Sequence, residues 1–184
     1  MFMDIIRAYE TEVFVSSKGS KFKVIEAEDK LENRSIQSSF IRERDCVFVL
    51  PIFDDGSILM ELQYRASLKA YFYELPGGHI DEGEEIKDAA ARELLEETGY
   101  FPAKVDILYK RAIAPYLTTA KEWVCLAEGL KEGSKKLDED EHIKNSRMTR
   151  NEAIEALKTG RIEDTPTREA LLYYLYFVEH EREA

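Results

Sequence analysis

Three glutamates, Glu93, Glu96 and Glu97, lie within one short run, Arg92-Glu93-Leu94-Leu95-Glu96-Glu97-Thr98-Gly99-Tyr100. On a helix, at about 100° per residue, the three carboxylates share an arc of roughly 100°. Ala90, Ala91, Leu94 and Leu95 fall on the other side, where they would pack against a sheet. Like charges three or four residues apart cost about a few tenths of a kcal/mol per pair, so a surface helix gains nothing from this patch unless a cation sits in it. Hard oxygen donors at i, i+3 and i+4 suit Mg2+ or Mn2+, which leave positions open for water and phosphate oxygens. A plain solvated acidic face is the alternative that the three glutamates alone leave open. The flanks favour the first reading. Pro76-Gly77-Gly78 and Gly83 let a loop backbone come close to a ligand, and Arg92 can pair with Glu84 or Glu96 to hold that loop on the helix.

These residues need elements to position them. Glu84 to Thr98 contains neither Gly nor Pro, is rich in Ala, Leu and Glu, and predicts a helix closed by Gly99. Upstream, Cys46–Phe53 is a continuous apolar run, Asp54-Asp55-Gly56-Ser57 is a turn signal, and Ile58–Arg65 returns as a second strand. Tyr71–Leu75 reads as a short strand running into Pro76. Strands are expected again at Val105–Ile113 and Glu122–Ala127. Thr149-Arg150-Asn151-Glu152 has capping-box spacing and opens a helix ending near Gly160. Thr165-Pro166 caps a last helix whose apolar face takes in Leu171, Leu172, Leu175, Tyr176 and Val178, suited to core or dimer packing. The first forty residues are polar, with β-like pieces at Glu12–Ser16 and Lys21–Ala27. The expected class is α+β, helices on a mixed sheet, with residues 1–44 an N-terminal β extension and 45–184 the main domain.

Gly78, five residues, Glu84, seven residues, then Arg92-Glu93-Leu94-Leu95-Glu96-Glu97-Thr98-Gly99-Tyr100 matches the Nudix box at every fixed position. The sequence resembles a Nudix hydrolase. That resemblance implies an α/β/α sandwich with a mixed sheet, and metal-dependent hydrolysis of a nucleoside diphosphate linked to another moiety. It implies that Glu93, Glu96 and Glu97 hold Mg2+ (or Mn2+), with the Gly77 carbonyl as a further ligand, and that Gly78, Glu84 and Arg92 support them. Glu93 and Glu97 are thereby candidates for direct participation in catalysis.

Outside the box, Gln63-Tyr64-Arg65 followed by Glu74-Leu75-Pro76-Gly77-Gly78 is similar to ADP-ribose and nucleoside-diphosphate-sugar pyrophosphatases. The subfamily resemblance makes Arg65, Glu74, Pro115 and Tyr116 candidates for substrate binding, Arg65 at phosphate. Read from the residues alone, Arg65 is a solvated cation at a strand end. Tyr116 stands where the subfamily has a glycine, which favours GDP-mannose or another sugar nucleotide as the alternative substrate. In the acidic run Asp138-Glu139-Asp140-Glu141, the resemblance makes Glu141 the catalytic loop carboxylate and a possible metal ligand, with Glu139 second. From the residues alone, that run is a solvated loop.

The chain has 184 residues, 44% of them apolar, and a net charge of −11 from 26 basic and 37 acidic side chains. Such a balance argues against affinity built on nucleic-acid phosphates, yet a bound divalent cation reverses the local sign for a small phosphorylated ligand. No stretch approaches the roughly 20 apolar residues of a membrane span, and the charge-interrupted start is not read as a signal peptide. Cys46 and Cys125 sit in separate apolar runs and are expected to be reduced thiols. These features suit a cytoplasmic domain acting on a small nucleotide derivative. The polar N-terminus, hard to bury in a monomer, suggests pairing with a second subunit, and the resemblance independently implies a homodimer. A nucleoside triphosphate hydrolase and a non-catalytic nucleotide-binding module are the remaining alternatives.

Overall fold

A computed structural model describes residues 4–15, 21–31, 34–136 and 142–180. They divide into two units, one of residues 1–45 with 111–122 and one of residues 46–110 with 123–184.

In the first unit, β1 (Asp4–Val15), β2 (Lys21–Leu31) and β3 (Arg34–Arg42) form an antiparallel three-stranded sheet in that order. The strands run longer than the two pieces expected from the sequence, and β3 is an addition. Its sequence, RSIQSSFIR, is mostly polar and exposed, so no alternation announces it. The stretch 113–119 is tied to β3 by Ile41 N–H donating to the Leu117 carbonyl (2.7 Å) and Thr119 N–H donating to the Ile41 carbonyl (3.1 Å). Arg111 pairs with Glu122 within the same unit.

The second unit is built on β4 (Cys46–Ile52), β5 (Ile58–Arg65), β6 (Ala70–Glu74), β7 (Gly77–His79), β8 (Tyr100–Phe101), β9 (Lys104–Ala112), β10 (Lys121–Glu128), β11 (Lys131–Glu132) and β12 (Ile143–Met148), with a few residues of β9 and β10 reaching into the first unit. The main sheet has the order β12-β5-β4-β10-β9, with β6 on β5 and β7 on β4. Side chains alternate faces along a strand, and they do so here. Val47, Val49, Leu59, Cys125 and Ala127 form one buried cluster with Ala89, Ala90 and Leu94 of α1 (Ile86–Thr98). Leu50, Ile52, Ile58, Met60, Val124 and Leu126 form the opposite cluster, with Ala153, Ala156 and Leu157 of α2 (Arg150–Lys158) and Ala170 and Leu171 of α3 (Thr165–Tyr173). The sheet is therefore sandwiched between α1 and the α2–α3 pair, the α+β architecture expected. The inward stripe of α1 uses Ala89 rather than Ala91 beside Ala90 and Leu94.

Helix ends follow local chemistry. Thr149 and Glu152 make the expected capping box, and Gly99 closes α1 at φ 80° with its N–H on the Leu95 carbonyl. Asp164, not Thr165, caps α3 by accepting from Thr167 N–H at 2.9 Å, and Pro166 fits the first turn. Beyond α3 the chain continues as a π-helical segment, Tyr174–Val178. Leu171 and Tyr174 are buried, with Leu175 and Val178 packed beside them. Leu172 and Tyr176, on the face expected to serve core or dimer packing, lie outside the core and are exposed by 54% and 74%. The true inward stripe is 171, 174, 175 and 178, and the other two lie just beside it. Cys125 is buried and burial pushes its thiol up to about 12, while Cys46 is half-buried; neither forms a disulfide. No helix among the described residues is long and apolar enough to cross a membrane.

Candidate active site

The site lies in the second unit, where α1 meets the Pro76-Gly77-Gly78 loop. Val49 N–H donates to the Pro76 carbonyl at 2.8 Å, and β7 pairs with β4 so that Gly78 stands opposite Val47 and Gly77 opposite Phe48. A Cβ on Gly77 would land on the Val47 carbonyl. A Cβ on Gly78 would lie 2.5–2.7 Å from the carboxylate atoms of Glu93. Close approach to backbone thus requires glycine at 77, whereas at 78 a side chain would have to push aside the Glu93 carboxylate, which rests against the loop backbone. Glu97, 4% exposed, accepts a 2.7 Å hydrogen bond from Gly77 N–H.

Arg92 organises the outer rim. Its Nε and Nη2 donate to the Glu84 carboxylate, each at 2.8 Å, and Nη2 also reaches the His79 carbonyl at 3.1 Å. Its Nη1 donates to Glu93 at 2.8 Å and Glu96 at 3.2 Å. Glu84 in turn accepts from Asp81 N–H at 3.0 Å, closing the loop that Gly83 turns at φ 79°. The pairing anticipated with Glu84 or Glu96 is made with both, and with Glu93 too. Hydrogen bonds from Arg92 hold the Glu84 carboxyl below its ordinary range, and donating to Glu84 foremost keeps Arg92 charged.

The second wall comes from β5 and β6. Strand parity puts Glu61, Gln63 and Arg65 on the same face as Leu59, the face covered by α1. Arg65, read from the residues alone as a solvated cation, instead donates from Nε to both Glu74 oxygens at 2.9 and 3.2 Å, and from Nη2 to one of them. Glu74 is nearly buried while Arg65 stays half exposed. The charged form of Arg65 is favoured chiefly by those bonds, against the effect of burial, with further attraction from Glu74, Asp164 and Glu97.

Of the residues singled out from the sequence, Arg65, Glu74, Gly77, Gly78, Glu84, Arg92, Glu93, Glu96 and Glu97 therefore belong to one unit and are linked by the contacts above. Pro115 and Tyr116 belong to the first unit, where Tyr116 is 83% exposed. Glu139 and Glu141 lie outside the described residues. Two further residues of this region gave no motif. Glu61 is completely buried, opposite Glu74 on β6 and Asn145 on β12; a Glu at an inward position of ILMELQYR was its one available signal. Asn145 Nδ2 donates to the Thr98 carbonyl at 2.7 Å, capping the end of α1.

Among the described residues, no three acidic, histidine or cysteine side chains converge closely enough to hold a metal ion. Arg92 draws Glu93 and Glu96 toward itself, and Gly77 N–H holds Glu97. The donor set nevertheless fits a hard divalent cation: carboxylate oxygens of Glu93 and Glu97 against the Gly77-Gly78 backbone, Glu96 one turn along, and the Gly77 carbonyl in the same loop. Gly78→Ala tests this close approach. The added methyl must displace the Glu93 carboxylate, and misplacement by about 1 Å costs on the order of 100-fold in rate. We expect kcat to fall by about that factor while circular dichroism shows an unchanged fold.

A family model described as the NUDIX domain matches residues 42–171. The chain is 32% identical over 170 residues to a protein named methanol dehydrogenase activator from Bacillus methanolicus, covering 91% of each chain. It is 31% identical over 142 residues to an ADP-ribose pyrophosphatase of Bacillus subtilis strain 168, covering 76% of this chain and 77% of that one. Among solved structures, one titled as an ADP compounds hydrolase superposes with a TM-score of 0.82 over 100% of this chain and 98% of that chain, at 23% identity.

Proposed function

The chain belongs to the Nudix family of hydrolases, and from that premise we propose that it cleaves the diphosphate linkage of ADP-ribose or a related nucleoside diphosphate sugar, with Mg2+, to a nucleoside monophosphate and a sugar phosphate. The observation that carries the reading is the meeting of two walls. Glu93 and Glu97 lie on the Gly77-Gly78 backbone, and Arg65, held by Glu74, brings a half-exposed cation whose field reaches Glu97. Carboxylates suited to a cation beside a cation suited to phosphate are what a charged diphosphate needs.

Glu93, Glu96, Glu97 and the Gly77 carbonyl would hold Mg2+, or Mn2+ in its place. When bound, the ion supplies charge neutralisation at the phosphate oxygens and a lowered pKa for a water. Arg65 binds a phosphate oxygen through the guanidinium edge not used by Glu74. Arg92 and Glu84 keep the loop on the helix so that the donors stay in place. Glu141 is our candidate for accepting the proton from the attacking water. No serine or cysteine nucleophile enters this scheme.

The enzyme is further proposed to act in the cytoplasm as a homodimer whose pairing uses residues 1–44. Light scattering after gel filtration should give about twice the 21.3 kDa chain mass, and a species at the single-chain mass contradicts the dimer. Specificity is tested by comparing kcat/KM for ADP-ribose, GDP-mannose, UDP-glucose, NADH, diadenosine polyphosphate and dGTP under Mg2+. Highest kcat/KM for ADP-ribose is the expected result, and a preference for GDP-mannose moves the assignment to the other sugar nucleotide. A second reading rests on similarity over 91% of both chains to the protein named methanol dehydrogenase activator. It predicts faster turnover of a methanol dehydrogenase when this chain is added.

A further inference from the structure

Thr167 lies 90 residues from Gly77, outside every motif of the sequence, yet its side chain is completely buried. Its hydroxyl oxygen accepts a 2.9 Å hydrogen bond from Leu75 N–H. Leu75 is the residue after Glu74, which holds Arg65, and two residues before Gly77, whose N–H holds Glu97. The same turn of α3 carries Asp164, which caps Thr167 N–H and lends its charge to Arg65. One hydroxyl therefore stands between the two walls of the site, and the N-terminus of α3 reaches the loop through it.

We infer that Thr167 is a positioning residue for this site: it fixes the Glu74–Gly78 run so that the Gly77 backbone meets Glu97 while Glu74 keeps hold of Arg65. The physical reason is the orphaned donor. Leu75 is 2% exposed, so without the hydroxyl its N–H has no access to solvent, and a buried backbone donor shifts the chain to find an acceptor. The shortest route for that shift is along the loop, through Pro76 into Gly77. The inference rests on the reading of α1 and Gly77 as cation-binding.

Thr167→Val is the sharp test, because it keeps the shape and β-branching and removes only the hydroxyl. Thr167→Ser restores the acceptor with one methyl fewer. The probe is Mn2+ alone, titrated without substrate and followed by electron paramagnetic resonance, at a temperature where circular dichroism shows each variant folded. Outer partners that orient cation-binding groups typically contribute about 10- to 100-fold in affinity. We expect Thr167→Val to raise the half-saturating Mn2+ concentration by about 10-fold, with Thr167→Ser close to wild type. Should Thr167→Val not fold, Thr167→Ala takes its place with the same expectation. Wild-type Mn2+ affinity in the hydroxyl-less variant, whatever its melting temperature, overturns the positioning role while leaving the cation site intact. A wild-type chain that binds no Mn2+ overturns the cation reading itself, and this inference with it.

Discussion

Glu97→Gln is expected to lower kcat for diphosphate hydrolysis about 1000-fold and to leave the folded structure unchanged. Glu97 is almost fully buried and accepts from Gly77 N–H at 2.7 Å. The glutamine keeps the volume, and its amide oxygen can accept the same bond. What disappears is the negative charge at the point where the α1 carboxylates meet the loop. A bound divalent cation contributes several kcal/mol of charge stabilisation, and each 1.36 kcal/mol is about a factor of ten in rate, so weakening its seat costs on the order of three decades. The check is steady-state kinetics at saturating substrate beside a thermal melt. A variant retaining a substantial share of wild-type kcat removes Glu97 from the reaction. One that melts far below wild type shows that the carboxylate serves the fold instead.

Arg92→Ala should produce the second largest effect, and on stability as well as rate. Arg92 binds Glu84, Glu93, Glu96 and the His79 carbonyl, and its side chain is 30% exposed while those of Glu84 and Glu93 are 16% and 13% exposed. Removing one partner of a fully buried pair costs about 3–5 kcal/mol. Partial exposure screens this cluster, so about 2–3 kcal/mol is expected, or a fall in melting temperature of about 5–10 °C for a chain of this size. The effect has a pH signature. Arg92 holds the Glu84 carboxyl below its ordinary value, so the folded value lies under the unfolded one, near 4.3. The stabilisation is complete above that unfolded value and is lost as pH falls through the depressed folded one. Melts in EDTA should therefore show a wild-type advantage that is full at pH 7 and narrows below about pH 4. An advantage that does not change with pH would place the contribution of Arg92 in packing alone.

The parts of the site that could be read from the sequence are those written locally. Gly78, Glu84, Arg92, Glu93, Glu96 and Glu97 occupy one loop and one helix, so helical spacing and glycine placement suffice to bring them together. The hairpin of β4 and β5 and the capping box at Thr149 are local in the same sense. What escaped depends on distant partners. Arg65 looks like any strand-end cation until β6 folds back and sets Glu74 beside it. β12, with the sequence IKNSRM, has no strand-like alternation and is defined by its pairing with β5. β3 is equally polar and is held by β2. Thr167 has no neighbour in sequence that hints at Leu75, because that contact exists only after α3 packs on the sheet. On the last helix, Leu172 and Tyr176 fall outside the core because a Leu- and Tyr-rich segment presents apolar side chains in several directions, and only packing selects the stripe through Leu171 and Tyr174.

Hydrolysis of a nucleoside diphosphate sugar at its diphosphate is decided by the products it leaves. Purified chain is incubated with ADP-ribose and Mg2+, and the phosphorus-containing products are separated and identified, with Glu97→Gln run in parallel. The expected result is AMP and ribose 5-phosphate in equal amounts from the wild type and almost none from the variant. Intact ADP-ribose after prolonged incubation, bound tightly but not cleaved, would contradict it and make the chain a nucleotide-binding module.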